Sequence, residues 1–305
     1  MVLNTKSKPA IPILSPLQVK KAYLKEDKTL SDLLKGDLSF FSMVRIEELF
    51  TYIKVPNKPF KNTSHGFIFV KAGTIRMQLD VLEYVLGENT FILTPAGQAN
   101  CFKEISNDVK GFMGTFNDHF FDHSPGLHGV DRFSALLNPG HLPHFVLDRP
   151  LADLFTLICE RVHKLYLNPA DRINLIQSYW MSLMTELDLV FKNEKQSQTN
   201  RGFKTVLEFK SLLLRHIRNN PKPADLAEML HVSVNHLNKV LKKNTQFSTS
   251  EWIAKRQVIE AQLMLKHSDL SVTQVAHHLG FDDPSYFSKF FFRHTRVTPS
   301  QYKKD

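Results

Sequence analysis

The chain has 305 residues and a mass of 35.2 kDa, more than one hydrophobic core usually organises, so two domains are expected and a single small module is excluded. Hydrophobic residues at 42%, charged residues at 23%, 12 Gly and 15 Pro exclude low-complexity and collagen-like chains. The net charge of +9 is unevenly spread: residues 201–305 hold 17 Lys and Arg against 9 Asp and Glu, whereas residues 1–200 hold 22 against 21. A basic last third on a near-neutral body calls for a polyanion, and nucleic acid fits better than a membrane because no basic amphipathic anchor accompanies the charge.

The opening MVLNTKSKPAIPILSP has a short apolar island broken by Pro12 and Pro16, too short for a signal-peptide core. No later run approaches the roughly 18 apolar residues of a membrane span. Cys101 and Cys159 form no disulfide framework, CxxC or zinc spacing, so cytoplasmic residence is expected. Between about 38 and 121, apolar runs (FTYIKVP, HGFIFVKAG, TIRMQLDVLEYVL, NTFILTPAG, GFMGTF) alternate with turn residues, which predicts a small antiparallel barrel or sandwich. From Leu151 the period becomes helical. Leu151, Leu154, Phe155, Ile158, Val162 and Leu165 make one stripe, and Ile173, Ile176, Trp180, Leu183 and Leu187 another; both need a covering surface. The polar run KNEKQSQTNR at 192–201 reads as a linker, after which the chain is helical to its end.

The last hundred residues contain an internal repeat. HLNKVLKKNTQFSTSEW at 236–252 aligns without gaps to YFSKFFFRHTRVTPSQY at 286–302, an offset of 50. Upstream, DLAEMLHVS at 225–233 lies against QVAHHLGFD at 274–282 at an offset of 49, pairing Ala227 with Ala276 and Leu230 with Leu279. Each copy predicts a short helix with a small residue inside, a turn and a second helix, which is a helix-turn-helix. Gly280 suits the turn of the second copy, where the first has His231; Asp282 or Asp283, and Ser233, supply N-caps. A helix at about 249–267, with Trp252, Ile259, Leu263 and Arg256 on its inward face, joins the two; Arg256 is expected to be a structural residue, snorkelling or ion-paired, rather than bound to phosphate.

With GFDDPSYFSKFFFRHTRVTPSQYKK at its end, the segment 203–303 resembles the AraC/XylS family of bacterial transcription regulators. Arg296 and Gln246 stand where that family usually has Gly, so both recognition helices must end without one. The resemblance implies that helices at about 233–243 and 284–294 enter successive major grooves of double-stranded DNA, with Asn235, Asn238 and Lys239, then Pro284, Ser285, Ser288 and Lys289, reaching base edges. Lys242, Lys243 and Arg293 are expected at phosphates.

In the N-terminal part, Gly87, Pro95 and Gly97 match the second motif of cupins, but Asn100 occupies the metal-ligand position. His65 stands alone where the first motif has His-x-His, so no metal and no other cofactor is expected. His119, His123 and His128 are too irregularly spaced to favour a metal site. The fold class expected is therefore α+β in two domains: a cupin-like sensor barrel (1–150), a helical dimerisation element flanking it (151–191), a linker (192–201), and an all-α domain of two helix-turn-helix units joined by a helix (202–305). The family resemblance implies an effector-responsive activator without enzymatic activity, a homodimer that works with RNA polymerase and a small-molecule effector. The alternatives are a cupin-type metalloenzyme tethered to DNA and a constitutive DNA-binding protein with a non-sensing barrel.

Overall fold

The structure is a computed structural model that describes residues 13–24, 40–121, 133, 134, 136, 137, 144–167, 172–197 and 201–304. The chain divides into two compact units, one spanning Leu14–Asn200 and the other including Arg201–Asp305. No described helix is long and apolar enough to cross a membrane.

The first unit opens with α1 (Pro16–Tyr23) and then β1 (Phe41–Arg45), a short α2 (Ile46–Leu49) and β2 (Phe60–Lys61). The strands β3 (His65–Ala72), β4 (Ile75–Leu79), β5 (Leu82–Leu86), β6 (Thr90–Thr94), β7 (Ala99–Ile105), β8 (Lys110–Phe116) and β9 (His144–Val146) follow. They form two antiparallel sheets, one ordered β1-β8-β3-β6-β9 and one ordered β2-β7-β4-β5. The sheet-rich unit is thus as expected, but it is built as two separate sheets and not as one closed ring of strands. Period-two patterning locates strands and says nothing about closure.

Alternation along β3 explains the layering. Phe67 and Phe69 belong to one buried cluster and Ile68 and Val70 to another, so successive side chains enter different cores. Aromatic residues of the five-stranded sheet (Phe41, Phe67, Phe69, Phe91, Phe112, Phe116) share the first core with helices α3 (Arg149–Tyr166) and α4 (Ile173–Ser197). Aliphatic residues on its other face meet Ile75, Met77, Leu79 and Leu86 of the second sheet. A strand buried on both faces reads as an uninterrupted apolar run, which is how HGFIFVKA looks in the sequence. The Trp180 indole stands at the centre of the aromatic layer, 4.3 Å from the Phe67 ring and 5.4 Å from Phe41. Gly114 keeps β8 close to β1, because a Cβ there would meet the Ser42 carbonyl oxygen and lie 2.8 Å from Phe67 Cζ.

Two consequences change the reading of the sequence. The apolar stripes of α3 and α4 are covered by the unit's own sheet: Phe155, Val162, Leu165, Ile176, Trp180, Leu183 and Leu187 are all in its core, and Ile158 packs against it. What stays exposed on α3 is Leu154 and Leu157. The polar run expected as a linker from 192 continues α4 as far as Ser197, since Lys, Glu and Gln are good helix formers and no Gly or Pro interrupts them.

The isolated His65 has a structural role. It is buried in β3, its Nδ1 accepts from the Ala96 amide at 3.1 Å, and its Nε2 lies 3.1 Å from Asp118 Oδ1. Burial holds its pKa below the usual imidazole value, the Asp118 contact opposing that shift, so both ring nitrogens are occupied in the neutral tautomer with the proton on Nε2. His119 lies in the turn Asp118–Phe121, whereas His123 and His128 lie outside the described residues. Among the described residues no three His, Cys, Asp or Glu side chains are grouped to hold a metal ion.

Candidate nucleic-acid interface

The second unit is all helical: α5 (Arg201–His216), a turn at Ile217–Asn219, α6 (Pro223–Met229), α7 (Val234–Thr245), α8 (Thr249–His267), α9 (Val272–His278), α10 (Pro284–Thr295) and α11 (Pro299–Lys304). Helices α6 and α7 form one helix-turn-helix and α9 and α10 the other, with Ala227 and Ala276 fully buried where the paired helices cross. Local chemistry sets each boundary. Ser233 accepts from the His236 amide at 3.1 Å to start α7, and Asp283 accepts from the Ser285 amide at 2.7 Å to start α10, with Pro284 at the first turn. Ser248 and Glu251 cap α8 reciprocally, and Ser271 with Gln274 does the same for α9.

The helix ends use left-handed backbone without glycine. Gln246 (φ 65°) and Arg296 (φ 63°) both adopt it, returning their amides to Lys242 and Phe292 at 2.9 and 2.8 Å. In the turns, His231 (φ 54°) does in the first copy what Gly280 (φ 78°) does in the second. A non-glycine residue in this region costs roughly 1–2 kcal/mol, so the first copy carries strain that the second avoids at the turn. Gly280 also allows a close approach, because a Cβ there would sit 2.9 Å from Asn220 Cβ. Asn220 donates to the Gly280 carbonyl at 3.2 Å and accepts from Gln257 at 2.7 Å, tying the end of the α5 segment to α8 and to the second turn. Nothing in the sequence pattern marks Asn220; its partners are 60 and 37 residues away.

Helix α8 lies between the two copies and contacts α6, α7, α9, α10 and α11. Twelve of its nineteen residues are buried, among them Trp252, whose indole N–H donates to Thr245 at 2.8 Å. Arg256 and Glu260, both buried, pair with each other one turn apart, so Arg256 is structural, as expected. Lys210 of α5 is only 7% exposed, with its ammonium 5.5 Å from the centre of the Trp252 ring.

The residues expected at DNA fall on α7 and α10. Asn235, Lys239, Lys242 and Lys243 are exposed on α7, and Ser285, Lys289 and Arg293 on α10; Pro284 is half-buried at its start. Two are engaged within the protein. Asn238 is half-buried and its Oδ1 accepts from the Thr249 amide at 3.1 Å, and Ser288 donates to the Pro284 carbonyl at 2.9 Å. A bidentate adenine contact uses both atoms of an amide, so the Asn238 oxygen would have to serve the base and the Thr249 amide together. The repeat explains the difference between the copies: Thr249 corresponds to Pro299, which has no N–H, so the second copy needs no acceptor and carries Ser288 where the first has Asn238.

Residues 226–305 match the family described as "Helix-turn-helix domain". The C-terminal unit is an AraC-type helix-turn-helix domain. Among curated relatives, the regulatory protein PocR of Salmonella typhimurium is 24% identical over 164 residues, covering 52% of this chain and 54% of PocR. The lactose operon transcription activator of Staphylococcus xylosus is 23% identical over 163 residues, covering 52% and 58%. The chain therefore spans about half the length of the curated relatives it matches. Among solved structures, ToxT from Vibrio cholerae O395 is similar over 86% of this chain and 96% of its own, with a TM-score of 0.41 and 15% identity.

The AraC-type domain contains one costly group. Burial lowers the Lys210 pKa to about 8, and no carboxylate among the described residues pairs with it. Because the unfolded chain holds this proton up to about pH 10.4, stability rises with pH between 8 and that value, and the full penalty applies below pH 8. Lys210→Met is expected to stabilise the domain by roughly 3 kcal/mol at pH 7, the gain shrinking as the pH climbs from 8 towards 10.4. Denaturant unfolding of both chains across that range measures it; a gain independent of pH would contradict the assignment.

Proposed function

We propose that this chain is a sequence-specific, DNA-binding transcription regulator whose AraC-type domain inserts α7 and α10 into successive major grooves. The observation that carries the reading is the pair of basic, exposed helix faces held on either side of one buried helix. At about 1.5 Å per residue the nineteen residues of α8 span roughly 28 Å, close to the ~34 Å that separates major grooves on one face of B-DNA. In this reading Asn235, Lys239, Pro284, Ser285 and Lys289 meet base edges, Asn238 and Ser288 contribute what their internal hydrogen bonds leave free, and Lys242, Lys243 and Arg293 neutralise phosphates.

The remaining roles are proposals of the same kind. Activation is supported by the name of the Staphylococcus xylosus relative, a transcription activator, and RNA polymerase is the partner that the resemblance of residues 203–303 implies. Sensing of a small molecule by the sheet-rich unit is supported by Trp180, whose buried Nε1–H has no hydrogen-bond partner among the described residues and would suit a bound acceptor. Homodimerisation through 151–191 is supported by Leu154 and Leu157, which are 38% and 69% exposed one turn apart on α3 while the rest of its apolar stripe is covered. In this reading the protein works in the cytoplasm, beside the DNA it binds.

Two lysines separate base reading from phosphate contact. Lys289→Ala is expected to weaken binding to the specific site by roughly 1–3 kcal/mol and to random DNA much less. Lys243→Ala is expected to weaken both alike and to lower the salt slope by about one counterion. Isotherms on both kinds of duplex at several salt concentrations test this; indistinguishable mutants would mean that α10 is oriented otherwise. For the dimer, replacing Leu154 and Leu157 by Asp in the full chain is expected to give a folded monomer in sedimentation, and an unchanged dimer would remove the proposed role of α3.

A further inference from the structure

Four phenylalanines follow one another closely on α10, and three are accounted for by packing. Phe287 and Phe291 are buried, their rings 6.0 Å apart; Phe291 also meets Tyr302 at 5.6 Å. Phe290 packs on Phe281 at 5.2 Å and on His294 at 4.8 Å. Phe292 is different. It is 47% exposed, and no ring among the described residues partners it.

Ser285, Lys289 and Phe292 are spaced by four and three residues on α10, so they share one face, and all three are exposed. Ser288, four residues before Phe292, borders that face, and Arg293 is exposed beside it. The phenyl ring therefore lies on the face of α10 that carries the side chains assigned above to DNA, with the cations Lys289 and Arg293 beside it in the helix. In the repeat the position matches Lys242 of α7, so the second copy presents an apolar ring where the first presents an ammonium. A large apolar side chain left in water on a basic, groove-facing surface gains nothing from phosphate. The major groove offers one apolar group on the base edges, the C5-methyl of thymine.

We propose that Phe292 is a specificity-determining residue of α10 that packs against a thymine methyl, giving the half of the site read by the second unit a preference for thymine that the first unit's Lys242 does not impose. The inference rests on the DNA-reading role of α10 and adds the base and the atom contacted.

The test uses the full chain and duplexes that it selects from a random-sequence library, with each thymine in turn replaced by uracil, which lacks only the methyl. Burying one methyl corresponds to about a fourfold change in affinity, so one uracil in the half-site of the second unit should weaken wild-type binding by about that factor. Phe292→Ala should bind the thymine and uracil duplexes equally, at the weakened level, and melt at the wild-type temperature because the ring is exposed. Phe292→Lys should also lose the methyl dependence while steepening the salt slope by about one counterion. The proposal is overturned if no uracil position affects the wild type, as would follow if the ring served to dock another protein, or if Phe292→Ala keeps the same uracil sensitivity. A wild-type chain that selects no sequence at all would instead overturn the DNA-reading role on which the inference rests.

Discussion

The burial of α8 is the constraint on which the DNA-binding half depends. A helix with twelve of nineteen residues out of water cannot slide or rotate without breaking contacts to five other helices, so it sets the separation and relative orientation of α7 and α10. Its charged pair reinforces this. Arg256 and Glu260 sit one turn apart and buried, a geometry in which loss of either partner would strand the other in a medium that does not solvate it. Asn220 adds a polar tie, connecting α8 through Gln257 to the turn that positions α10.

Within that frame the two helix-turn-helix copies are not equivalent, and the differences have physical causes. The first copy spends Asn238 on the amide of Thr249, whereas Pro299 releases the second from the same requirement. The first accepts a left-handed histidine at its turn, and the second uses Gly280, which also admits Asn220. The first offers Lys239, Lys242 and Lys243 with no acidic residue on α7; the second begins at Asp282 and Asp283 and carries Phe292 among its cations. In the proposed complex with DNA, the first unit would contribute more charge and the second an apolar ring.

How much of this was legible in the sequence follows from the range of each interaction. The repeat, the Ala-containing helix crossings, the caps at Ser233 and Asp283 and the extent of α8 are local patterns, and they read directly as helix-turn-helix units. The strands were equally visible, but the division into two sheets depends on pairings such as β3 with β8, which period-two alternation does not encode. The stripes of α3 and α4 pointed to a covering surface without saying that the unit's own aromatic sheet supplies it. Asn238 illustrates the same limit at a site: its residue type suited adenine, while the competing Thr249 amide eleven positions on becomes visible only in the folded chain. Phe292 was concealed among neighbouring phenylalanines that are core residues, and only exposure separates it from them.

If α8 is a fixed spacer, the spacing of the DNA segments that one chain protects is the most direct test. Hydroxyl-radical footprinting on a selected duplex should show two protected stretches about one helical turn apart, roughly 10 base pairs. Inserting five base pairs between them, which turns one groove to the opposite face, should abolish protection of one stretch. Protection of both stretches after that insertion, or a single stretch in the original duplex, would contradict a rigid pair of recognition helices.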